Sequence, residues 1–158
     1  MKSPYVVAFC PGHISGYFKR IQGETVATTG SIGAGIVISE GVTATVKPAD
    51  QTSICIRRRG YNGKRSEETR GSPLLEHVME NLTITASVVT ESVLPIGAGF
   101  GLSAAALLAT LNALNRLYCL EMDAEEIAEV AHAAEVTHRT GLGDVAACQG
   151  GGRVMRYG

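Results

Sequence analysis

The chain has 158 residues, enough for one domain with its own core. Hydrophobic residues make up 45% and charged residues 18%, an ordinary globular balance. A formal charge of -1 and the lack of any apolar run near the roughly 20 residues that span a bilayer argue against nucleic-acid and membrane partners.

The opening stretch, MKSPYVVAFCPGHIS, makes a poor secretory signal, because its apolar part is short and Pro11-Gly12 interrupts it. A cytoplasmic protein is expected. Residues 5–10 read as a strand closed by that Pro-Gly turn. A Gly-rich turn over residues 30–35 precedes a β-branched strand at 35–39. Residues 43–47 and 53–58 alternate in strand fashion. Residues 60–73 are charged and Gly-rich, and read as an exposed loop. Residues 74–80 suit a short helix and 81–91 another strand. The second half turns helical: residues 103–118 are rich in Ala and Leu and apolar on most sides, the pattern of a buried central helix. Asp123 with Glu126 forms a capping-box pattern for a helix running to about Arg139 and stopping at Gly141. The last residues, from Gly150 to Gly158, look like a strand about to continue. Strands followed by helices predict an α+β domain, with helices on one face of a mainly antiparallel sheet. Cys10, Cys55, Cys119 and Cys148 are far apart without a CxxC pair, and read as buried free thiols of a reducing compartment.

The most informative segment runs Pro95-Ile96-Gly97-Ala98-Gly99-Phe100-Gly101-Leu102-Ser103-Ala104-Ala105, between a strand and the long helix. Alternate glycines let the backbone come close to a ligand and adopt positive φ. The first amides of the helix beyond them lack intrahelical partners, and with the helix dipole they make an anion site. A triphosphate suits it, with the Ser103 hydroxyl offered to a bridging metal ion. Two other readings stand beside this one. The glycines could serve tight packing alone. Alternatively, Gly99, Gly101 and Ala104, with Glu121 some way on, imitate a dinucleotide-binding fingerprint, although no second strand precedes that acid.

Pro95 to Ala105 resembles the second motif of the GHMP kinase superfamily, with Phe100 and Leu102 replacing a Leu and a Ser of the usual loop. Pro11-Gly12-His13-Ile14-Ser15-Gly16 resembles the first motif, His13 standing where many relatives carry Lys or Arg. Thr140-Gly141-Leu142-Gly143-Asp144, followed by Gly150-Gly151, resembles the segment bearing the catalytic aspartate. PGHISGYF, GSIGAG (residues 30–35), GFGLSAA and AEVTHRTGLGD are similar to the variants of the archaeal pantoate kinase family.

The resemblance implies a ribosomal protein S5 domain 2-like fold, ATP and Mg2+ as cofactors, and a small hydroxy acid as the phosphoryl acceptor. It implies a nucleotide cradle of Pro95, Gly97, Ala98, Gly99, Phe100, Gly101, Ser103 and Ala104. Metal ligation would fall to Ser103 and Glu135, and proton acceptance to Asp144 with His13. Acceptor contacts would fall to His13, Ser15, Arg139 and Thr140. Each has a blander alternative: a solvated helix charge at Glu135, a turn residue at Asp144, a structural imidazole at His13. Arg20, Arg139 and the run Arg57-Arg58-Arg59 are open candidates for clamping a carboxylate. Relatives run to about twice this length, adding a ferredoxin-like C-terminal domain. The chain therefore reads as the N-terminal ATP-binding domain, a truncated product or fragment, able to bind nucleotide with or without turnover. An apolar face left by the second domain would favour a homodimer.

Overall fold

Alternation in the strands and a helix apolar on nearly every side set the layers of this domain. The structure, a computed structural model, describes residues 4–141, 143–150 and 152–157. Met1 to Ser3, Leu142, Gly151 and Gly158, which figure in the signal, aspartate-segment and chain-end readings, lie outside them.

The elements are β1 (Val6–Ile21), β2 (Gly30–Pro48), β3 (Ser53–Arg59), β4 (Arg65–Arg70), α1 (Pro73–Asn81), β5 (Ala86–Ser92), α2 (Leu102–Tyr118), α3 (Ala124–His138), α4 (Asp144–Gly150) and β6 (Arg153–Tyr157). The sheet runs β1-β2-β5-β3-β4, with β6 also paired to β2. All pairs are antiparallel except β3 with β5. Val42, Ala44 and Val46 of β2 and Ala86 and Val88 of β5 alternate inward. They meet α2, where Ala104, Leu107, Leu108, Leu111 and Leu114 are almost wholly buried. α1 adds Leu75, Val78 and Met79, and α3 adds Ile127, Ala131 and Ala134. Val7 and Phe9 point the other way and stay exposed. This is the expected α+β architecture with α2 as the central helix.

Several local expectations change. β1 does not close at Pro11-Gly12 but continues to Ile21. Its register jumps from Pro11 opposite Gly41 to His13 opposite Val37, an irregularity that accepts a proline lacking its N–H. The turn expected at 30–35 and the two strands expected at 35–39 and 43–47 are one strand, β2. Gly33, Gly35 and Gly41 serve close approach to β1: a Cβ at Gly33 would meet the Tyr17 carbonyl. The loop expected at 60–73 contains β4, an edge strand stabilised by charge: Arg57 pairs with Glu68 and Arg58 with Glu67, each at 3.1 Å. The strand expected at 81–91 begins only at Ala86, because α1 ends at a Leu82 cap followed by Thr83 with φ 56°.

The capping box of α3 forms, with Asp123 accepting from Glu126 N at 2.9 Å. The helix runs to His138, close to the expected end at about Arg139, but its cap is Arg139 in the left-handed region, φ 56°, and not Gly141. α4 is an additional helix. Cys10 and Cys148 are buried free thiols, whereas Cys119, the left-handed cap of α2, is exposed. Among the described residues no helix is long and apolar enough to cross a membrane.

Candidate active site

The connection from β5 to α2 passes through Gly97, Gly99 and Gly101, with φ of 75°, 83° and 61°. That region costs a residue with a Cβ about 1–2 kcal/mol. At Gly97 and Gly99 nothing lies within 4 Å of where a Cβ would stand, so backbone conformation, not tight packing, calls for glycine there. Gly101 is the N-cap of α2 and carries no side-chain cap. The first amides of α2 therefore face outward without a capping oxygen, the arrangement that receives an anion.

Two segments converge on this loop. His13 N donates to the Phe100 carbonyl at 2.9 Å, tying the irregular part of β1 to the loop. Gly12 allows it: a Cβ there would lie 2.8 Å from the same carbonyl. From the other side α4 starts at Asp144. A Cβ on Gly101 would stand 3.5 Å from both Asp144 Cγ and His13 Cβ. His13 Nδ1 lies 2.8 Å from Asp144 Oδ1, with the imidazole 1% and the carboxylate 26% exposed. Asp144 thus keeps a free edge while His13 fixes the other.

Behind the loop stands Glu135, fully buried rather than a solvated helix charge. Ser103 Oγ donates to its Oε1 at 2.8 Å. Its Oε2 is buried without a hydrogen-bond partner among the described residues. Burial pushes this carboxyl from 4.5 up to about 7; the Ser103 hydrogen bond opposes the rise, the nearby Asp144 charge adds to it, and the Thr140 hydroxyl opposes it more weakly. A Cβ at Gly141 would lie 2.7 Å from this carboxylate. The glycine expected to stop α3 instead gives Glu135 room, and Gly141 itself lines the cavity.

That cavity has a volume of about 750 Å³. It gathers Gly97, Gly99, Phe100, Gly101, Ser103 and Asp144 with Ser15, Arg139 and Thr140. Three further members of the predicted cradle are absent from its lining: Pro95 is half-buried, Ala98 is exposed, and the Ala104 side chain turns into the core, leaving only its backbone for a ligand. Arg20, Arg57 and Arg139 line it, but Arg57 is already engaged by Glu68 and by Glu91 at 3.5 Å. Arg58 and Arg59 do not line it; Arg58 pairs with Glu67, and Arg59 with Glu91, which does line it.

Sequence reasoning missed the apolar wall, formed by Ile56, Leu74, Leu75, Ile96, Leu102 and Ala106. Ile96 and Leu102 sit in the glycine segment itself, but Ile56 of β3, Leu74 and Leu75 of α1 and Ala106 of α2 belong to elements whose pattern marks only burial. Glu121, the acid a dinucleotide fingerprint needs, sits in the connection between α2 and α3 with φ 58°. α2 leads to another helix rather than to a parallel strand, so that alternative falls.

Among the described residues no three His, Cys, Asp or Glu side chains gather into a metal cage. The Ser103 hydroxyl, the Glu135 carboxylate and its unpartnered Oε2 are hard oxygen donors. They fit Mg2+, which keeps several waters and takes phosphate oxygens.

Loop, helix N-terminus and facing carboxylate give an α+β domain a cavity suited to an anion. Residues 71–152 match the family described as "GHMP kinases N terminal domain", and the chain belongs to the GHMP kinase family. It is 46% identical over 156 residues to the pantoate kinase of Methanospirillum hungatei JF-1, covering 99% of this chain and 54% of that protein. It is 34% identical to the pantoate kinase of Methanocaldococcus jannaschii, covering 94% of this chain and 52% of the relative. Among solved structures, a "Phosphotransferase related to CoA biosynthesis pathway" superposes with a TM-score of 0.77 at 28% identity, covering 95% of this chain and 52% of that one. The chain spans about half the length of the curated relatives it matches.

Proposed function

We propose that this chain is the ATP-binding part of a cytoplasmic kinase that phosphorylates a hydroxyl of a small hydroxy acid, pantoate giving 4-phosphopantoate in coenzyme A biosynthesis. The observation that carries it is the Asp144–His13 pair standing beside the left-handed glycine loop, where a Cβ on Gly101 would lie 3.5 Å from both side chains. Likeness to two pantoate kinases supports the choice of acceptor.

Phosphoryl transfer asks a protein mostly for positioning and charge neutralisation. The loop and the first amides of α2 bind the β- and γ-phosphates. Ser103 and Glu135 would hold Mg2+, which supplies charge neutralisation across the phosphates when bound. Asp144 orients the acceptor hydroxyl and takes its proton as the new O–P bond forms and ADP leaves. His13 donates from Nδ1 to the other carboxylate oxygen. Arg139, Thr140 and Ser15 contact the acceptor.

Asp144→Asn tests this reading. Turnover of pantoate with ATP should fall by at least about 10²-fold, while ATP affinity measured by calorimetry should hold. Retained turnover would remove Asp144 from its role. Because the chain spans about half of its relatives, a second reading is nucleotide binding without turnover; ATP binding with no ADP release in the presence of pantoate would favour it. A homodimer belongs to the first reading, since Ile14, Tyr17, Ile36 and Met155 are exposed.

A further inference from the structure

The glycine-rich stretch Gly30-Ser31-Ile32-Gly33-Ala34-Gly35 takes no direct part in the chemistry above, yet it lies against the residue that does. In the register of β1 with β2, His13 faces Val37 and Ser15 faces Gly35. Gly35 is therefore the diagonal neighbour of His13 on one face. A Cβ on Gly35 would overlap His13 Nε2, lie 2.8 Å from His13 Cε1 and 2.5 Å from the Ile14 carbonyl. Gly35 has no positive φ, so its backbone is open to any residue. Space, not conformation, demands glycine.

The ring that fills this space has two unlike nitrogens. Nδ1 lies 2.8 Å from an Asp144 oxygen. Nε2 is buried with no hydrogen-bond partner among the described residues. A carboxylate calls for a proton on Nδ1. A second proton on Nε2 would be a buried donor without an acceptor, whereas a bare lone pair there leaves no donor unmet.

We propose that Gly35 is a positioning residue: by lacking a side chain it seats the His13 imidazole flat against β2, as the neutral Nδ1–H tautomer with Nε2 shut off from water. Held so, His13 orients Asp144 and leaves that carboxylate its full charge for the acceptor proton. Any side chain at position 35 lifts the ring and takes the donor from Asp144. The proposal rests on the reading of Asp144 and His13 as the acceptor-activating pair, but its primary test needs neither ATP nor turnover.

The experiment is long-range 1H–15N NMR of the imidazoles in the whole 158-residue chain. The wild type should show one histidine as a pure Nδ1–H tautomer, assigned by its loss in His13→Gln. In Gly35→Ala that pattern should disappear while the signals of His77, His132 and His138 stay. Gly33→Ala crowds the Tyr17 carbonyl instead of the ring, and should keep the pattern. An unchanged His13 pattern in Gly35→Ala overturns the proposal, as does its absence from the wild type. Should Gly35→Ala not fold, the double variant His13→Gly/Gly35→Ala decides. Recovery of the fold supports the seat; failure assigns the glycine to the approach of the Ile14 carbonyl and overturns it. Where the wild type turns over, Gly35→Ala should lower kcat by about 10²-fold, the scale of a roughly 1 Å misplacement, with KM for ATP little changed. A wild type with no turnover but an intact tautomer pattern counts against the kinase reading and leaves the seat standing.

Discussion

Glu135 is a carboxylate kept where its charge is costly. Burial raises it from an ordinary 4.5 to about 7. Well below pH 4.5 both folded and unfolded chains hold the proton, and the group favours neither. As pH rises towards 7 the unfolded chain ionises first, so stability falls, and the loss is complete above the folded value. The shift corresponds to about 3 kcal/mol of stability in the chain without metal. Glu135→Gln removes the ionisation. Urea unfolding of both proteins at pH ~5 and ~8 should show the variant gaining on the wild type by about that amount at the higher pH. A gap that does not move with pH would refute the burial account. Magnesium and ATP, which on the proposed reading bind the ionised form, should narrow the gap. At this scale the sequence was informative about residue type and blind to environment. A helical wheel puts Glu135 at the edge of the apolar face of α3. That it is sealed, paired with Ser103 across 32 positions of chain and roofed by Gly141, comes from the meeting of three separate segments. For His13 the resemblance names the partner, Asp144, 131 positions away, but not the burial of the ring.

At the scale of elements, the loop between β5 and α2 shows which glycines respond to conformation and which to space. Gly99 sits at φ 83° with nothing near its missing Cβ. Gly99→Ala should therefore clash with nothing, and cost about 1–2 kcal/mol of loop strain where the left-handed region is kept. If the loop relaxes instead, its amides turn and ATP affinity falls about tenfold, the equivalent of ~1.4 kcal/mol. Calorimetric titration with thermal unfolding alongside separates the two, and unchanged values of both would show that the loop does not need its left-handed residues. These glycines were readable because they alternate between a strand and a long helix. The glycines at 30–35 are not, because spacing alone does not tell a glycine that bends the chain from one that lets two strands close in. β4 was hidden for a related reason. An edge strand that pairs Arg57 with Glu68 and Arg58 with Glu67 has no apolar alternation to betray it. α4, with seven residues, is too short to show a helical period and begins in the segment read as the aspartate turn.

The whole molecule has two unlike faces where β1 and β2 run beyond the helices. Cross-strand register puts Ile14 opposite Ile36, and Tyr17 opposite Ala34, which in turn faces Met155 of β6. These share one face, and Ile14, Tyr17, Ile36 and Met155 are 42%, 61%, 57% and 66% exposed. The opposite face of the same ribbon carries His13, Ser15 and Gly35. The site is thus built on a ribbon whose back is an open apolar patch, and such patches mark surfaces that are covered in use. In isolation the patch should drive self-association, visible as a sedimentation coefficient that rises with concentration. Ile36→Lys places a charge at its centre and should hold the chain monomeric. Because position 36 points away from the cavity, ATP affinity should change by no more than about twofold, the usual range of a surface substitution. Association that persists in Ile36→Lys would move the contact to the exposed Val7 and Phe9 on the outer face of the sheet. A coupled loss of ATP binding would mean instead that the ribbon transmits strain from its back to the His13 side, linking what covers the patch to the chemistry on the other face.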